Sequence, residues 1–340
     1  MFSDWSRSLG VASVVLLAVL AGTTIAAVHP VAAQAIDVDS CTTIDESGRY
    51  VLTADLEPAN ATECIVVAAS DVTLDGDDHA ITGTGNGTGV SVVDATNETV
   101  DVEINDLTVQ NWTTSVRFES ASGTVDDVTA TDNRFGVRLV DAGAVGVQDS
   151  EFTANTVGVN VVSSTAELVR NDLAGNEYGL IVQFVDAADG DSVLAERNVF
   201  EANAEVGVLV EGSTATDLVD NEMTGNGDDG VLVENSSNVV VLRNAVEDNG
   251  DDGVTLVRSD RNLVERNVVV GNVDDGLVLA DADRNTLLRN VVSVNGGDGI
   301  LLRDADGNRV ERNVITQNDG RQIRLGRGSS GNRFVQNDAD

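Results

Sequence analysis

The sequence has no lysine. All 20 of its basic residues are arginine, set against 57 aspartates and glutamates, and the formal net charge is −37 over 340 residues. Aromatic residues make up 3%, and Pro, Cys, His and Met occur twice each. A field this negative excludes nucleic acid as a partner and disfavours an anionic membrane surface. So few aromatics fit a core built from thin aliphatic layers. The scarcity of His, Cys and Met leaves no cluster of soft metal ligands.

What is present is a repeat. Five copies of a 23-residue unit begin at Asn203, Asn226, Asn249, Asn272 and Asn295. The fifth residue of each copy is Gly (Gly207, Gly230, Gly253, Gly276, Gly299). An alternating apolar pair follows, as in Val208/Val210 and Leu277/Leu279. Two further apolar columns run through Leu218, Val241, Val264, Leu287 and Val310, and through Met223, Val246, Val269, Val292 and Ile315. A second Asn column holds Asn221, Asn244, Asn267, Asn290 and Asn313. Alternation at period two is strand spacing, and a drift-free repeat of this length suits a solenoid coil. One unit therefore reads as one turn of a parallel β-helix with three short strands, right-handed by the crossover rule. The Asn columns are expected at turns, where Asn tolerates left-handed backbone and bonds the Asn one coil away. The Gly column is expected to need positive φ. The expected fold is all-β, about 12 coils, most regular from 203 to 317.

Residues 1–35 read as a signal peptide: Arg7, an apolar run from Val11 to Val28, then Ala33-Gln34-Ala35 as a cleavage site. An uncleaved anchor is the alternative. The expected location is secreted or at the cell surface, with no stable membrane insertion after cleavage. In an exported chain Cys41 and Cys64, about one coil apart, are expected to form a disulfide that staples the first coil, with a pair of buried thiols as the other reading. Residues 36–85 form this N-terminal coil or cap, and residues 86–340 the repeats. Degenerate coils begin near Asn86, Asn111, Asn133, Asn155 and Asn176, and the longest carries a bulging loop near Val185 to Asp191. Glycosylation sequons stand at Asn60, Asn86, Asn97, Asn111 and Asn235. The imperfect last coil leaves an open edge suited to end-to-end self-association.

The Cys-Thr-Thr-Ile opening at Cys41 to Ile44, the segment Ser70 to Gly83 and the later Asn-Gly coils resemble NosD-type β-helix proteins. These belong to the carbohydrate-binding and sugar-hydrolase repeats with a pectin-lyase-like fold. The acidic, lysine-free surface resembles that of proteins from extreme halophiles, where molar salt shortens the screening length to about 3 Å.

Three features are candidates for function. Phe135 and Tyr178, just before the turn Gly, are expected either to stack on sugar rings or to pack against adjacent turns. The loop acids Asp186, Asp189 and Asp191 lie in the irregular region, where solenoids bind ligands. The acids Asp228, Asp229, Asp251, Asp252, Asp274, Asp275 and Asp298 form a ladder that is either a row of Ca²⁺ or Na⁺ sites or a solvated turn face. Trp112, beside the Asn111 sequon, has no assigned role. The Arg243, Arg266, Arg289 and Arg312 column reads as charge compensation. No catalytic residues are assigned. The family's enzymes use an Arg-x-Lys, an Arg beside Pro or an Asp-Pro-His motif, and none occurs here. The leading expectation is a non-enzymatic protein binding carbohydrate or another cell-surface polymer. The alternatives are a polysaccharide hydrolase or lyase, and a NosD-like accessory protein for a copper enzyme.

Overall fold

The computed structural model describes residues 35–93 and 101–340. The expected signal segment, Ala35 apart, and the Asn97 sequon lie outside them. Among the described residues all regular structure is β-strand, from Ile36–Val38 to Arg333–Val335. One sheet holds 13 strands and another holds 23. Within a regular coil the order is Val208–Glu211, Thr216–Val219, Glu222–Thr224. Each strand pairs in parallel with its counterpart 23 residues on: Val208 with Val231, Leu218 with Val241, Met223 with Val246. The expected parallel β-helix is therefore the fold. The first strands of all coils form the 13-stranded sheet, here called the first face. The second and third strands form the 23-stranded sheet, whose columns are the second and third faces. Thirteen strands are separated by twelve coil steps, which matches the expected length. Among the described residues no helix is long and apolar enough to cross a membrane.

Burial follows the apolar columns. Val208, Val210, Leu218 and Met223 are fully buried, as are Val233, Val246, Val264, Val269, Leu287 and Val292. Each coil adds a thin aliphatic layer, and the layers stack at about 4.8 Å.

Polar ladders stitch the corners between the layers. Asn133, Asn155, Asn176, Asn203, Asn226, Asn249, Asn272, Asn295 and Asn318 are all buried. Each up to Asn295 donates its side-chain amide to the side-chain carbonyl of the Asn one coil on, as in Asn226 to Asn249 at 2.9 Å. Its backbone N–H reaches the same oxygen, at 3.0 Å for that pair. Asn318 ends the ladder on the Gln322 side-chain carbonyl. The second ladder runs from Ser150 through Asn171, Asn198, Asn221, Asn244, Asn267, Asn290 and Asn313 to Asn337. A third, Asn262, Asn285, Asn308 and Asn332, is shorter, and the sequence reading did not separate it.

The turn chemistry differs from expectation at two columns. The ladder asparagines are not left-handed; the residue before each one is, including Arg243 (φ 57), Asp248 (φ 55) and Arg266 (φ 57). Ladder asparagines keep ordinary backbone because their amides must point along the axis. The Gly column is not left-handed either. It is small because a Cβ on Gly253 would lie 2.3 Å from Val269 and 2.6 Å from the Gly276 carbonyl. Close approach between coils, not positive φ, fixes that residue.

Trp112 is also resolved. It occupies the Asn column, takes the Asn133 side-chain carbonyl on its backbone N–H at 2.8 Å, and donates its indole N–H to the Ile81 carbonyl at 3.2 Å. It is 2% exposed and belongs to the core. The coil thus starts one residue later than Asn111, which is itself the left-handed residue (φ 62).

Cys41 and Cys64 are bonded, with Cα atoms 4.4 Å apart, across adjacent coils at the N-terminal end. At the other end Leu325 and Phe334 are 51% and 37% exposed on the last strands.

Asn267 tests the ladder. Its amide donates to the Val241 carbonyl (2.8 Å) and to Asn290 (3.0 Å), and its carbonyl accepts the Asn244 N–H (2.8 Å). Asn267→Ala removes the acceptor of the Asn244 N–H and side-chain amide and the donor to the Val241 carbonyl, while Asn290 keeps the backbone N–H of residue 267. Each unsatisfied buried group costs about 1–3 kcal/mol. We expect urea denaturation to show a loss of about 3 kcal/mol or more, with Thr316→Ala on the half-buried outer surface near neutral.

Candidate functional site

The second face carries a groove. Its outward column runs Thr73, Glu103, Thr124, Gly146, Glu167, Leu194, Asp217, each in register with the next. Six rung steps at about 4.8 Å give roughly 29 Å of continuous surface parallel to the solenoid axis. The middle is low because Gly146 and Thr124 are small. A cavity of about 620 Å³ lies over Gly146, Glu167 and Leu194, and one of about 500 Å³ over Thr73, Glu103 and Asp126. Asp101, Thr124 and Gln148 line both, so the two are continuous. The carboxylates of Asp101, Glu103, Asp126, Glu167 and Asp217 make the groove a surface of hydrogen-bond acceptors. Burial pushes Asp217 above the ordinary carboxylate range.

The long loop stands at one rim. Residues 187–190 form a turn between the strands Tyr178–Gln183 and Val193–Glu196, where the length excess pointed. Asp186 holds this turn: its carboxylate accepts the Ala188 N–H and the Thr214 hydroxyl, both at 2.9 Å. Those bonds keep Asp186 below the usual carboxylate range. Asp191 accepts a bond from Thr165, which lines the groove, while burial and Asp189 push its carboxyl up. Asp189 is exposed.

The sequence candidates are not one site. Tyr178 begins the strand that leads to the loop, so its backbone lies about 16 Å from the loop along that strand. Phe135 and Tyr178 are half-buried and aligned through Val157 at the first-face corner. The side chains of Arg134 and Arg138 cover the Phe135 ring, each 5.0 Å from its centroid.

The same corner column continues as the aspartate ladder. Asp229, Asp275 and Asp298 are 5%, 8% and 6% exposed. One oxygen of Asp229 accepts the Asp252 N–H at 3.0 Å, and one of Asp252 accepts the Asp275 N–H at 2.7 Å. Asp275 likewise accepts the Asp298 N–H. This ladder runs opposite to the Asn ladders: each Asp accepts the N–H of the coil after it, whereas each Asn accepts the N–H of the coil before it. Burial, then the neighbouring Asp252 charge, pushes Asp229 up to about 8. Burial pushes Asp252 up to about 7, with the Asp275 charge adding to it. Carboxylate oxygens of Asp228, Asp229 and Asp251 lie within 4.8 Å of one another, as do those of Asp251, Asp252 and Asp274. Three oxygens fall short of the six to eight that calcium takes. The inner oxygens of Asp229 and Asp252 already serve backbone N–H groups.

The soft ligands are dispersed. His79 pairs with Asp55 at 3.1 Å, Met223 is core, and both cysteines are in the disulfide. The Arg column does compensate charge: Arg243 grips Asp220 of the preceding coil with two bonds of 2.7 Å. The sequon asparagines Asn60, Asn86, Asn111 and Asn235 are exposed.

Comparison with known proteins agrees with this architecture. The family described as right handed beta helix region matches residues 184–339, and the family described as periplasmic copper-binding protein (NosD) matches residues 70–228. Together they span most of the solenoid, and the chain belongs to the NosD-like right-handed parallel β-helix proteins. Among solved structures, the mannuronan C-5 epimerase AlgE6 A-module of Azotobacter vinelandii superposes with a TM-score of 0.59 at 17% identity, covering 86% of each chain. A point mutant of the periplasmic alginate epimerase AlgG gives a TM-score of 0.63 at 14% identity, covering 87% of this chain and 76% of that one. The Dettilon tailspike protein gives 0.51 at 12% identity, covering 75% and 62%. These likenesses are of fold. No curated protein matches the sequence significantly.

The acid ladder has a pH signature. Carboxylates in an unfolded chain titrate near about 3.9. Asp229 and Asp252 stand above that value when folded, so their ionised forms oppose folding. Stability should therefore rise as pH falls through about 8 and about 7, and this gain should level off near about 4. Asp229→Asn keeps an acceptor for the Asp252 N–H and removes the charge. Thermal melts are expected to show this variant more stable than the parent at pH 8.5, by about 1–3 kcal/mol, and less pH-dependent.

Proposed function

We propose that the protein binds a hydroxyl-rich polysaccharide along the second-face groove, without catalysis. The continuous 29 Å groove carries this reading: it follows the axis of the solenoid, as a linear polymer requires, and an ordered loop forms one rim. Its acidic lining offers acceptors to sugar hydroxyls and repels polyanions. The similar folds named for a mannuronan epimerase, an alginate epimerase and a phage tailspike support a polymer ligand only by analogy. Asp191 is the loop acid nearest the bound chain in this reading, with Asp186 shaping the loop and Asp189 at its tip. Tyr178 and Phe135 lie on a separate surface.

The chain is proposed to be exported and to work in high salt. The disulfide fits an oxidising compartment, and a net charge of −37 is tolerable where salt screens it. Glycosylation at the exposed sequons fits the same location. A hydrolase or lyase is the second reading. Glu167 and Asp217 sit in one column two rungs apart, roughly 9.6 Å at strand spacing, near the upper end of the separation of an inverting pair. A copper-accessory role has the least support, because the residues that would bind copper are bonded, buried or far apart.

Glycan-array binding in molar salt tests the first reading. Gly146→Trp should weaken binding at least about tenfold, since a Cβ there meets nothing closer than 3.6 Å and the ring would fill the groove. Unchanged binding by this variant would place the ligand elsewhere. Reducing-sugar release lost in both Glu167→Gln and Asp217→Asn would favour the enzyme instead. On dialysis to millimolar salt, circular dichroism should lose β signal; a fully retained spectrum would overturn the halophilic reading.

A further inference from the structure

The first face carries a second cluster, unrelated to the groove. Ser91, Arg117, Arg138 and Asn160 occupy one outward column on successive rungs. Among the described residues only six buried side-chain atoms lack a hydrogen-bond partner, and three belong to this column: Ser91 Oγ, Arg117 Nε and Arg138 Nε. Orphaned buried donors are rare because each costs free energy. Three on consecutive rungs point to a shared missing acceptor.

The charges agree. Elsewhere in the solenoid arginines meet acids, as Arg243 meets Asp220 and Arg289 meets Glu265. On this face Arg117 pairs with Glu119, while Arg134 and Arg138 form no ion pair among the described residues. Burial, then the nearby Arg117 and Arg134, disfavours the charge on Arg138. Both Arg134 and Arg138 lie over Phe135, which holds their guanidinium carbons 5.0 Å from its ring centroid. In a chain of net charge −37, acids to neutralise these cations were abundant, yet among the described residues Glu119 alone pairs with an arginine of this cluster.

We propose that Arg117, with Arg134 and Arg138 held by Phe135, forms a binding site for an oxyanion: the carboxylate or sulfate group of an acidic glycan. Arginine forks match both groups with paired N–H donors. Rungs about 4.8 Å apart let Arg117 and Arg138 flank one anion. The anion supplies the acceptors that the two Nε–H groups lack and relieves the repulsion among the three cations. Phe135 acts as the platform that positions two arginines, so it need not touch a sugar ring. The site stands on observations separate from the groove, and either can fail without the other.

Calorimetric titration of the full chain in molar sodium chloride, with an oligogalacturonate, a sulfated dextran oligomer and a neutral dextran oligomer, tests it. One or both anionic oligomers should bind here, and the arm that binds identifies the group; the neutral one should not bind at this site. The Arg117→Gln/Arg138→Gln variant should lose about tenfold or more in affinity. Phe135→Leu should weaken binding less, and Gly146→Trp and Arg243→Gln should leave it unchanged. Should the double variant fail to keep its β spectrum, the exposed Arg134→Gln decides, with several-fold weaker binding expected. Absence of binding by both anionic oligomers, or full affinity in a folded double variant, overturns the proposal.

Discussion

The buried amide ladder is the interaction on which the rest depends. A three-strand coil turns its corners inside the protein, and every corner leaves backbone N–H and C=O groups away from water. An Asn side chain presents both a donor and an acceptor along the axis. It can therefore take the N–H of the coil before it and give its own amide to that coil's carbonyl. This closes only if the next coil repeats the residue at the same height. The drift-free 23-residue period follows from that demand. So does the Gly column, where adjacent coils approach too closely for a Cβ.

The fold was legible because these constraints are periodic. The apolar columns, the two long Asn columns and the cysteine pair could be read directly, since each repeats or has only one sensible partner. The error about left-handed backbone has a physical origin. Asn and Gly are the usual left-handed residues, so both columns suggested it. Here the strained position falls one residue earlier and is often Arg. Left-handed geometry costs an L-residue about 1–2 kcal/mol, and the ion pair to the preceding coil, as in Arg243 with Asp220, partly offsets it. Trp112 was obscured because it replaces an Asn in its own ladder, which no periodic reading reveals.

The candidate sites were less legible because they depend on what happens between columns. Phe135 could be singled out as an aromatic ring just before the turn Gly, but its partners Arg134 and Arg138 follow no repeat. The groove was hidden altogether. It arises from small residues at Thr124 and Gly146 on an outward column whose other members are ordinary, and outward columns of degenerate coils carry no pattern to detect. The loop of residues 185–191 was located from length alone, yet length could not show that Asp186 is occupied in holding its own turn.

The corner column from Phe135 to Asp298 ties stability to chemistry. A carboxylate is nearly the shape of an amide, yet here it serves the N–H of the following coil, where the Asn ladders serve that of the preceding one. The energetics differ. Asp has no donor to return to the next rung, and its charge stands about 4.8 Å from the next, where two unit charges repel by about 1 kcal/mol in water and more when buried. Asp229 and Asp252 respond by holding protons more tightly. At the C-terminal end Arg324 reaches Asp298 at 3.1 Å and supplies the missing charge. In the early coils the same corner is filled by Phe135, Val157 and Tyr178 and carries no charge. One position in the repeat thus changes from apolar to acidic along the axis. The cations beside Phe135 sit at its apolar end, away from the Asp229–Asp298 ladder that would otherwise neutralise them.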